Sequence, residues 1–248
     1  MIKLPSIENK VIKRPGHTNG LTKHYIPDTD NAFWDDFYRL FNNNFKLSDP
    51  IHRFSDKINP YFGYFGNRWH PINFQPAYFH IGVDVTEAPG SSINAVYKGN
   101  LEYSGYANVN GNYVIVKHPE VSTLDGYVFQ SLYMHCDDLQ VRFNTFQKVL
   151  REYVSKKLLL ANTFISHNQQ IATVGITGNK LGVVPHLHLQ FEFVKNNTHI
   201  AVNPLKLYNR ETHENLTAAI ATQEEFRQFY HQNANELVLW KKFWSNKV

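Results

Sequence analysis

The residues best suited to chemistry in this chain are two histidines one residue apart. His186 and His188 lie in PHLHLQFEF, residues 185–193, where polar and apolar side chains alternate strictly. This period of two residues is typical of a β-strand with one apolar, buried face. Both imidazoles therefore lie on the polar face of the predicted strand, where a ring nitrogen can bind a metal ion or transfer a proton.

A second polar cluster occurs earlier in the chain, in YFHIGVDV, residues 78–85. His80, Gly82 and Asp84 alternate there with isoleucine and valine. The β-branched neighbours of Gly82 favour a strand over a helix, so all three residues share one face. Because Gly82 has no side chain, a metal ion could lie over the gap between His80 and Asp84.

These residue types match the ligands of catalytic zinc. Such an ion typically binds three protein nitrogen or oxygen atoms at about 2.0–2.2 Å and leaves one position to water. His80, Asp84 and one histidine of the second segment would complete this set, and the spacing does not decide which histidine binds. A third histidine, His135, ends the alternating segment SLYMHC. Its neighbour Cys136 is predicted to point to the opposite face as a buried, inert thiol.

The elements that must position these side chains are predicted to be mainly β. The chain has 248 residues, 42% of them hydrophobic, which supports a sizeable core. From about residue 60, short alternating segments are separated by glycine, asparagine and proline, as in an antiparallel sheet. The predicted strands lie within residues 93–107, 111–119, 127–135, 169–179 and 186–194.

Three helices are predicted around this sheet. The first is capped by Asp30. Its apolar residues recur at helical spacing and are Trp34, Phe37, Tyr38 and Phe41. The second lies in an insertion near residues 145–160, FQKVLREYVSKKLLL, and the third follows a capping box formed by Thr222 and Glu225.

This pattern predicts three parts along the chain. Residues 1–60 are expected to be an N-terminal extension with a short helix. Residues 61–208 are expected to form the main domain, with a helical insertion at 144–168. Residues 209–248 are expected to be a C-terminal helical extension.

Composition argues against several classes of protein. No run of about 18 apolar residues occurs, so no transmembrane segment is predicted. The net charge of +4 is modest and the basic residues are scattered, so no nucleic-acid partner is expected. Cys136 is the single cysteine, which excludes an intramolecular disulfide.

Several segments resemble the M23 family of zinc metallopeptidases, the lysostaphin and LytM-type peptidoglycan endopeptidases. GYFGNRWHPINFQPAYFHIGVDV, residues 63–85, is similar to the family's opening G-x-R-x-H-P followed by H-x-G-x-D. IATVGITGNKLGVVPHLHLQFEF, residues 171–193, is similar to the closing G-x-T-G and G-P-H-L-H-x-E. The intervening elements follow in order, so that the resemblance covers roughly residues 61–205.

The resemblance implies a LytM-type antiparallel β-sheet core and a role for each polar residue. His80, Asp84 and His188 would bind one Zn²⁺ ion. His135 and His186 would not bind the metal; they would position the attacking water and stabilise developing charge. The implied activity is metal-assisted hydrolysis of a peptide bond in peptidoglycan cross-links, of the DD- or glycyl-endopeptidase type.

Two alternatives remain open at this stage. One is a catalytically silent or regulatory member of the family that only binds peptidoglycan. The other is a cupin-like metal site, because His186, His188 and Glu192 also fit the first ligand motif of that class. Gln190 and Glu192 are either partners of the ligand histidines or solvent-facing strand residues.

The expected place of action is the periplasm or cell wall, where the implied substrate lies. The N-terminal residues include basic side chains but no continuous apolar segment, so no signal peptide is predicted. We therefore expect a processed form or a non-standard secretion route, which leaves room for a secretion-machine, immunity or regulatory partner. The N-terminal segment is also predicted to cover part of the substrate groove.

Overall fold

Strands dominate the fold, as the alternating segments predict. The computed structural model describes residues 1–13, 21–58, 63, 65–69, 76–137, 139, 164–178 and 185–208. The first strands within these residues are β1 Ile2–Leu4, β2 Ile12–Lys13, β3 Thr22–Tyr25, β4 Gly66–Trp69, β5 Pro76–His80, β6 Gly82–Thr86 and β7 Ser92–Asn94. The remaining strands are β8 Gly99–Ala107, β9 Gly111–Thr123, β10 Val128–Cys136, β11 Phe164–Ile165, β12 Gln170–Thr173, β13 His186–Lys195 and β14 Thr198–Val202.

Ten of these strands form one sheet. Its order is β11-β8-β9-β10-β13-β14-β3-β2, with β1 added beside β9 and β6 beside β13. The strands β8, β9, β10 and β13 pair antiparallel, which confirms the predicted core sheet. Two small sheets, β4-β5 and β7-β12, complete the strand pairing of the described residues.

Strand β13 lies at the centre of this arrangement. It pairs with β10 along one edge, and along the other edge with β6 in its first half and β14 in its second half. All side chains from His186 to Phe193 are buried. The alternative that Gln190 and Glu192 face solvent is therefore wrong, because the polar face of β13 is covered as well. Its polar groups must find partners inside the protein.

The N-terminal residues contribute strands that the sequence analysis did not predict. β1 pairs parallel with β9, and β3 pairs parallel with β14. Leu4, Ile7 and Ile26 lie in the same hydrophobic core as the main sheet. Strands of two to four residues are too short to show a periodic pattern, and the edges on which they pair come from distant parts of the chain. The domain boundary at residue 60 stays a prediction.

Two α-helices and one 3₁₀ helix lie within the described residues: α1 Asn31–Asn44, α2 Pro204–Leu207 and the 3₁₀ helix Phe54–Lys57. The α1 helix confirms the first predicted helix, and Asp30 Oδ1 accepts from the Phe33 N–H at 3.0 Å, as a cap does. Trp34 and Phe37 are buried in the core. Neither α-helix of the described residues is long and apolar enough to cross a membrane. The predicted helices near 145–160 and after Thr222 lie outside the described residues.

Candidate metal centre

The segment that carries His80 and Asp84 consists of two strands, not the single strand expected from its alternation. β5 ends at His80 and pairs with β4, and after Ile81 the strand β6 begins at Gly82 and pairs with β13. Within the β6–β13 ladder, Asp84 lies directly opposite His188. The break at Ile81 keeps His80 beside these two residues.

Three ligand atoms converge at this point. His188 Nδ1 lies 2.8 Å from Asp84 Oδ1 and 2.9 Å from His80 Nε2. His80 Nε2 and Asp84 Oδ1 are 3.3 Å apart. The side chains are largely withdrawn from solvent, with 5%, 13% and 10% exposure for His80, Asp84 and His188. Within the described residues, this is the one group of three or more histidine, cysteine or carboxylate side chains close enough to share a metal ion.

The geometry of this cluster fits a zinc ion. Ligand atoms at about 2.0–2.2 Å from a tetrahedral metal lie about 3.3–3.6 Å from one another. The 3.3 Å separation falls in that range, and those of 2.8 and 2.9 Å are somewhat shorter. A single N–H on His188 Nδ1 could be donated to only one of its two neighbours. A cation that accepts one lone pair from each of His80, Asp84 and His188 would satisfy all three side chains together. The donor set, two imidazole nitrogens and one carboxylate oxygen, leaves a fourth position for water.

Gly82 has a steric role at this centre. A β-carbon on Gly82 would lie 2.7 Å from His188 Nε2 and 2.4 Å from the carbonyl oxygen of Leu189. Both distances are far below van der Waals contact. The missing side chain therefore allows β6 and β13 to approach closely enough for Asp84 to reach His188. This role is additional to the predicted one, in which Gly82 leaves space for a metal ion.

His135 and His186 lie together beside the three converging residues. Their ring centroids are 4.8 Å apart, and the His135 ring lies 6.1 Å from that of His188. His135 has a φ of 63°, which is unusual for a residue other than glycine and turns its side chain at the strand end. The structure thus brings together all five residues that the sequence analysis selected.

The Thr177 backbone carbonyl determines the tautomer of His135. His135 Nδ1 lies 2.9 Å from that oxygen. A carbonyl oxygen only accepts hydrogen bonds, so Nδ1 carries the proton and Nε2 keeps its lone pair. Burial, together with the nearby His186 and His188, lowers the pKa of His135 to about 4, so its ring is neutral at neutral pH. A neutral imidazole with a free Nε2 can accept a proton.

Thr177 contacts the candidate site, and the sequence alone does not single it out. Its hydroxyl donates to the Cys136 carbonyl at 2.6 Å and accepts from the Asn112 N–H at 2.8 Å, which fixes the loop beside His135. The segment GITGN carries no signal for this role, because the contacts join β9 and β10 to the loop that follows β12. Cys136 itself is buried, which confirms the predicted burial of this thiol, and burial raises its pKa to about 12.

Glu192 does not join the cluster of His80, Asp84 and His188. Its carboxylate accepts hydrogen bonds from Thr22, Gln130, Gln190 and His199. The cupin-like set of His186, His188 and Glu192 is therefore not formed. Gln190 and Glu192 are 2% and 1% exposed, so neither is a solvent-facing strand residue.

Two histidines and an aspartate that converge on neighbouring strands of a mainly β protein form a donor set that could hold a metal ion. This chain belongs to peptidase family M23, whose family model matches residues 78–204. The matched region contains all five histidine and aspartate residues of the site.

Individual relatives agree with this assignment. The chain is 27% identical over 176 residues to the peptidoglycan DD-endopeptidase ShyC of Vibrio cholerae serotype O1, a match that covers 70% of this chain and 32% of that protein. This chain thus spans about a third of the length of that relative.

Solved structures of similar proteins were also found. A zinc-containing peptidase from Vibrio cholerae is 21% identical, with a TM-score of 0.40, over 58% of this chain and 39% of that one. The catalytic domain of the antimicrobial peptidase lysostaphin from Staphylococcus simulans is 21% identical, with a TM-score of 0.40, over 62% of this chain and 95% of that one.

Proposed function

We propose that this protein is a zinc-dependent endopeptidase that hydrolyses peptide bonds in bacterial peptidoglycan cross-links. The observation that carries the proposal is the convergence of His188 Nδ1, His80 Nε2 and Asp84 Oδ1 within 3.3 Å of one another. Membership of peptidase family M23 supports a peptidase. Peptidoglycan as the substrate follows from the similarity to the Vibrio cholerae enzyme, which is named for it.

Each site residue has a role in this proposal. His80, Asp84 and His188 would hold one Zn²⁺ ion. When bound, the ion would supply Lewis-acid chemistry, namely polarisation of the scissile carbonyl and a lower pKa, about 7, for water. His135 accepts the proton of the attacking water at Nε2, because the Thr177 carbonyl keeps the other ring nitrogen protonated. It then donates that proton to the leaving amine nitrogen. His186, beside His135, stabilises the negative charge that develops on the substrate oxygen.

The periplasm or cell wall is the proposed place of action, because the proposed substrate lies there. Residues 61–208, which include the insertion at 144–168, are proposed as the catalytic unit, with residues 1–60 and 209–248 as extensions. A secretion-machine, immunity or regulatory partner belongs to the same proposal.

Muropeptide mass spectrometry tests this function. Purified sacculi with direct diaminopimelate cross-links, and others with glycine bridges, are incubated with the protein as purified, with chelator, and with chelator followed by zinc. We expect loss of cross-linked muropeptides in one set, abolition by chelator and recovery with zinc.

Variants make the test specific. His135→Ala should retain zinc but lose cleavage, because the proton acceptor is missing. His167→Ala removes an exposed histidine of the same domain and should leave cleavage unchanged. Zinc-loaded protein that binds sacculi yet cuts neither set would contradict the proposal and support the alternative, a peptidoglycan-binding member without activity.

A further inference from the structure

A buried carboxylate lies on the same strand as the ligand His188. Glu192 is 1% exposed, and its two oxygens accept from four side chains. Oε1 accepts from the Thr22 hydroxyl and the Gln190 amide. Oε2 accepts from Gln130 Nε2 at 2.7 Å and His199 Nδ1 at 2.9 Å. These donors come from β3, β10, β13 and β14.

This carboxylate acts only as an acceptor in the network. Burial opposes its ionisation, but the hydrogen bonds from His199, Thr22 and Gln130 outweigh that effect and lower the pKa of Glu192. An ionised carboxylate donates no hydrogen bond, so each neighbour must turn an N–H or O–H towards it. The orientation of each neighbouring side chain is thereby determined.

The amide of Gln190 transmits this constraint to the metal centre. Its Nε2 donates to Glu192, so its Oε1 must face the opposite way. Oε1 lies 3.4 Å from His188 Nε2. An amide oxygen only accepts, so it favours the tautomer of His188 that carries its proton on Nε2. That tautomer leaves the Nδ1 lone pair free, and Nδ1 is the atom that faces His80 and Asp84.

We propose that Glu192 is a positioning residue which, through the Gln190 amide, holds His188 in the tautomer that binds metal at Nδ1. This inference rests on the proposed zinc function, because the benefit of the tautomer is a better metal ligand. Hydrogen bonds behind a ligand histidine are known to fix its tautomer and orientation. Here the hydrogen-bond acceptor is an amide whose own orientation depends on a buried charge one step further away.

Glu192→Gln is the decisive substitution. The new amide can donate to Gln190, so Gln190 can turn over and present its NH₂ group to His188. His188 would then accept at Nε2 and carry its proton on Nδ1, where it blocks metal binding. The Q190E/E192Q swap restores a carboxylate acceptor beside His188 Nε2 and keeps the same atoms in the chain of contacts.

The matched control is Thr22→Val. It removes a different donor to the same carboxylate, is nearly isosteric, and leaves the contact between Glu192 and Gln190 in place. A role of Glu192 in stability alone would make E192Q and T22V similar in zinc affinity. A positioning role makes them differ.

Two measurements on the full chain test the inference. The first is zinc affinity by competition with a chromophoric chelator. We expect E192Q to bind zinc about 10–100-fold more weakly, T22V to stay close to wild type, and the swap to recover most of the loss. The second is the ¹⁵N chemical shifts of the His188 ring in zinc-free protein, which report the tautomer directly. Asp84 Oδ1, 2.8 Å from Nδ1, competes for the same proton in zinc-free protein. We therefore expect the share of the Nε2-protonated tautomer to be larger in wild type, T22V and the swap than in E192Q.

The outcomes separate this inference from the proposed function. Wild-type protein that binds no zinc would refute the proposed function, and the ¹⁵N shifts would still decide whether Glu192 sets the tautomer. Wild-type zinc affinity in E192Q, with an unchanged tautomer, would overturn the inference alone. If E192Q does not fold, Gln190→Met removes the same link, and zinc affinity equal to wild type in that variant would overturn the inference.

Discussion

Replacing Gly82 with alanine is the sharpest test of how this metal centre is built. Strand β6 lies so close to β13 that a β-carbon at this position would meet the Leu189 carbonyl oxygen at 2.4 Å. Ordinary van der Waals contact begins near 3.4 Å, so strand β6, strand β13 or the His188 side chain must move by about 1 Å. The same β-carbon would lie 2.7 Å from Nε2 of His188, which holds the ligand atom Nδ1.

The size of the effect follows from this displacement. Overpacking of a closed site costs about 1–3 kcal/mol of unfolding free energy. Metal–ligand distances tolerate only about 0.2 Å of deviation, so a shift of about 1 Å in one ligand should lower zinc affinity at least about tenfold. G82A should therefore lose both stability and affinity.

Urea denaturation in chelator, combined with zinc competition, measures both losses. Gly105→Ala is the matched control, because its β-carbon would meet the hydroxyl of Tyr103, an exposed side chain that can rotate away. We expect G105A to change stability by less than about 1 kcal/mol and to leave zinc affinity unchanged. If G82A matched G105A in both assays, the close approach of β6 and β13 would not be what positions His188.

Three further predictions concern single side chains. Asp84→Asn should weaken zinc binding more than about 100-fold, because the loss of residues that only hydrogen-bond to metal ligands typically costs up to about 100-fold. Competition with a chelator measures this affinity, and an unchanged value would remove Asp84 from the ligand set. Burial lowers the pKa of His118 to about 4, so the unfolded chain takes up a proton below pH 6.5 that the folded protein resists. The free energy of unfolding should thus fall by about 3 kcal/mol between pH 7 and pH 4 through His118, and urea titrations of His118→Gln should show a flatter profile. Asp125→Ala should lower the free energy of unfolding by about 2 kcal/mol, because Asp125 Oδ2 accepts from Ile7 N and Glu8 N at 2.8 and 2.7 Å. Asp125→Asn should lower it by less. Equal melting temperatures for both variants and wild type would show that this contact does not anchor the N-terminal segment.

Much of the core sheet could be predicted from the sequence, because alternation is a local property. The strands β8, β9, β10 and β13 each show a period of two residues, and β13 carries His186 and His188 on one face. The α1 helix could be predicted in the same way, from its apolar spacing and the Asp30 cap. Local periodicity does not reveal what covers each face, so it left open whether Gln190 and Glu192 on β13 are buried or face solvent.

The N-terminal strands could not be predicted for a different reason. β1 and β3 each pair with strands more than a hundred residues away, as the contacts Ile2 with Val121 and His24 with Ile200 show. Such short segments have little strand preference of their own. They become strands because a distant edge offers unpaired backbone groups.

The sequence by itself determined which residue types could form a metal centre, and the resemblance to a family indicated which of them bind. His80, Gly82, Asp84 and His188 carry that information as residue types and spacings. Only the tertiary structure decided that Asp84 lies opposite His188, that Thr177 sets the tautomer of His135, and that Glu192 contacts Gln190 and not the metal-binding cluster. Each of these depends on register between strands far apart in the chain, which is set by packing of the whole core and not by local preference.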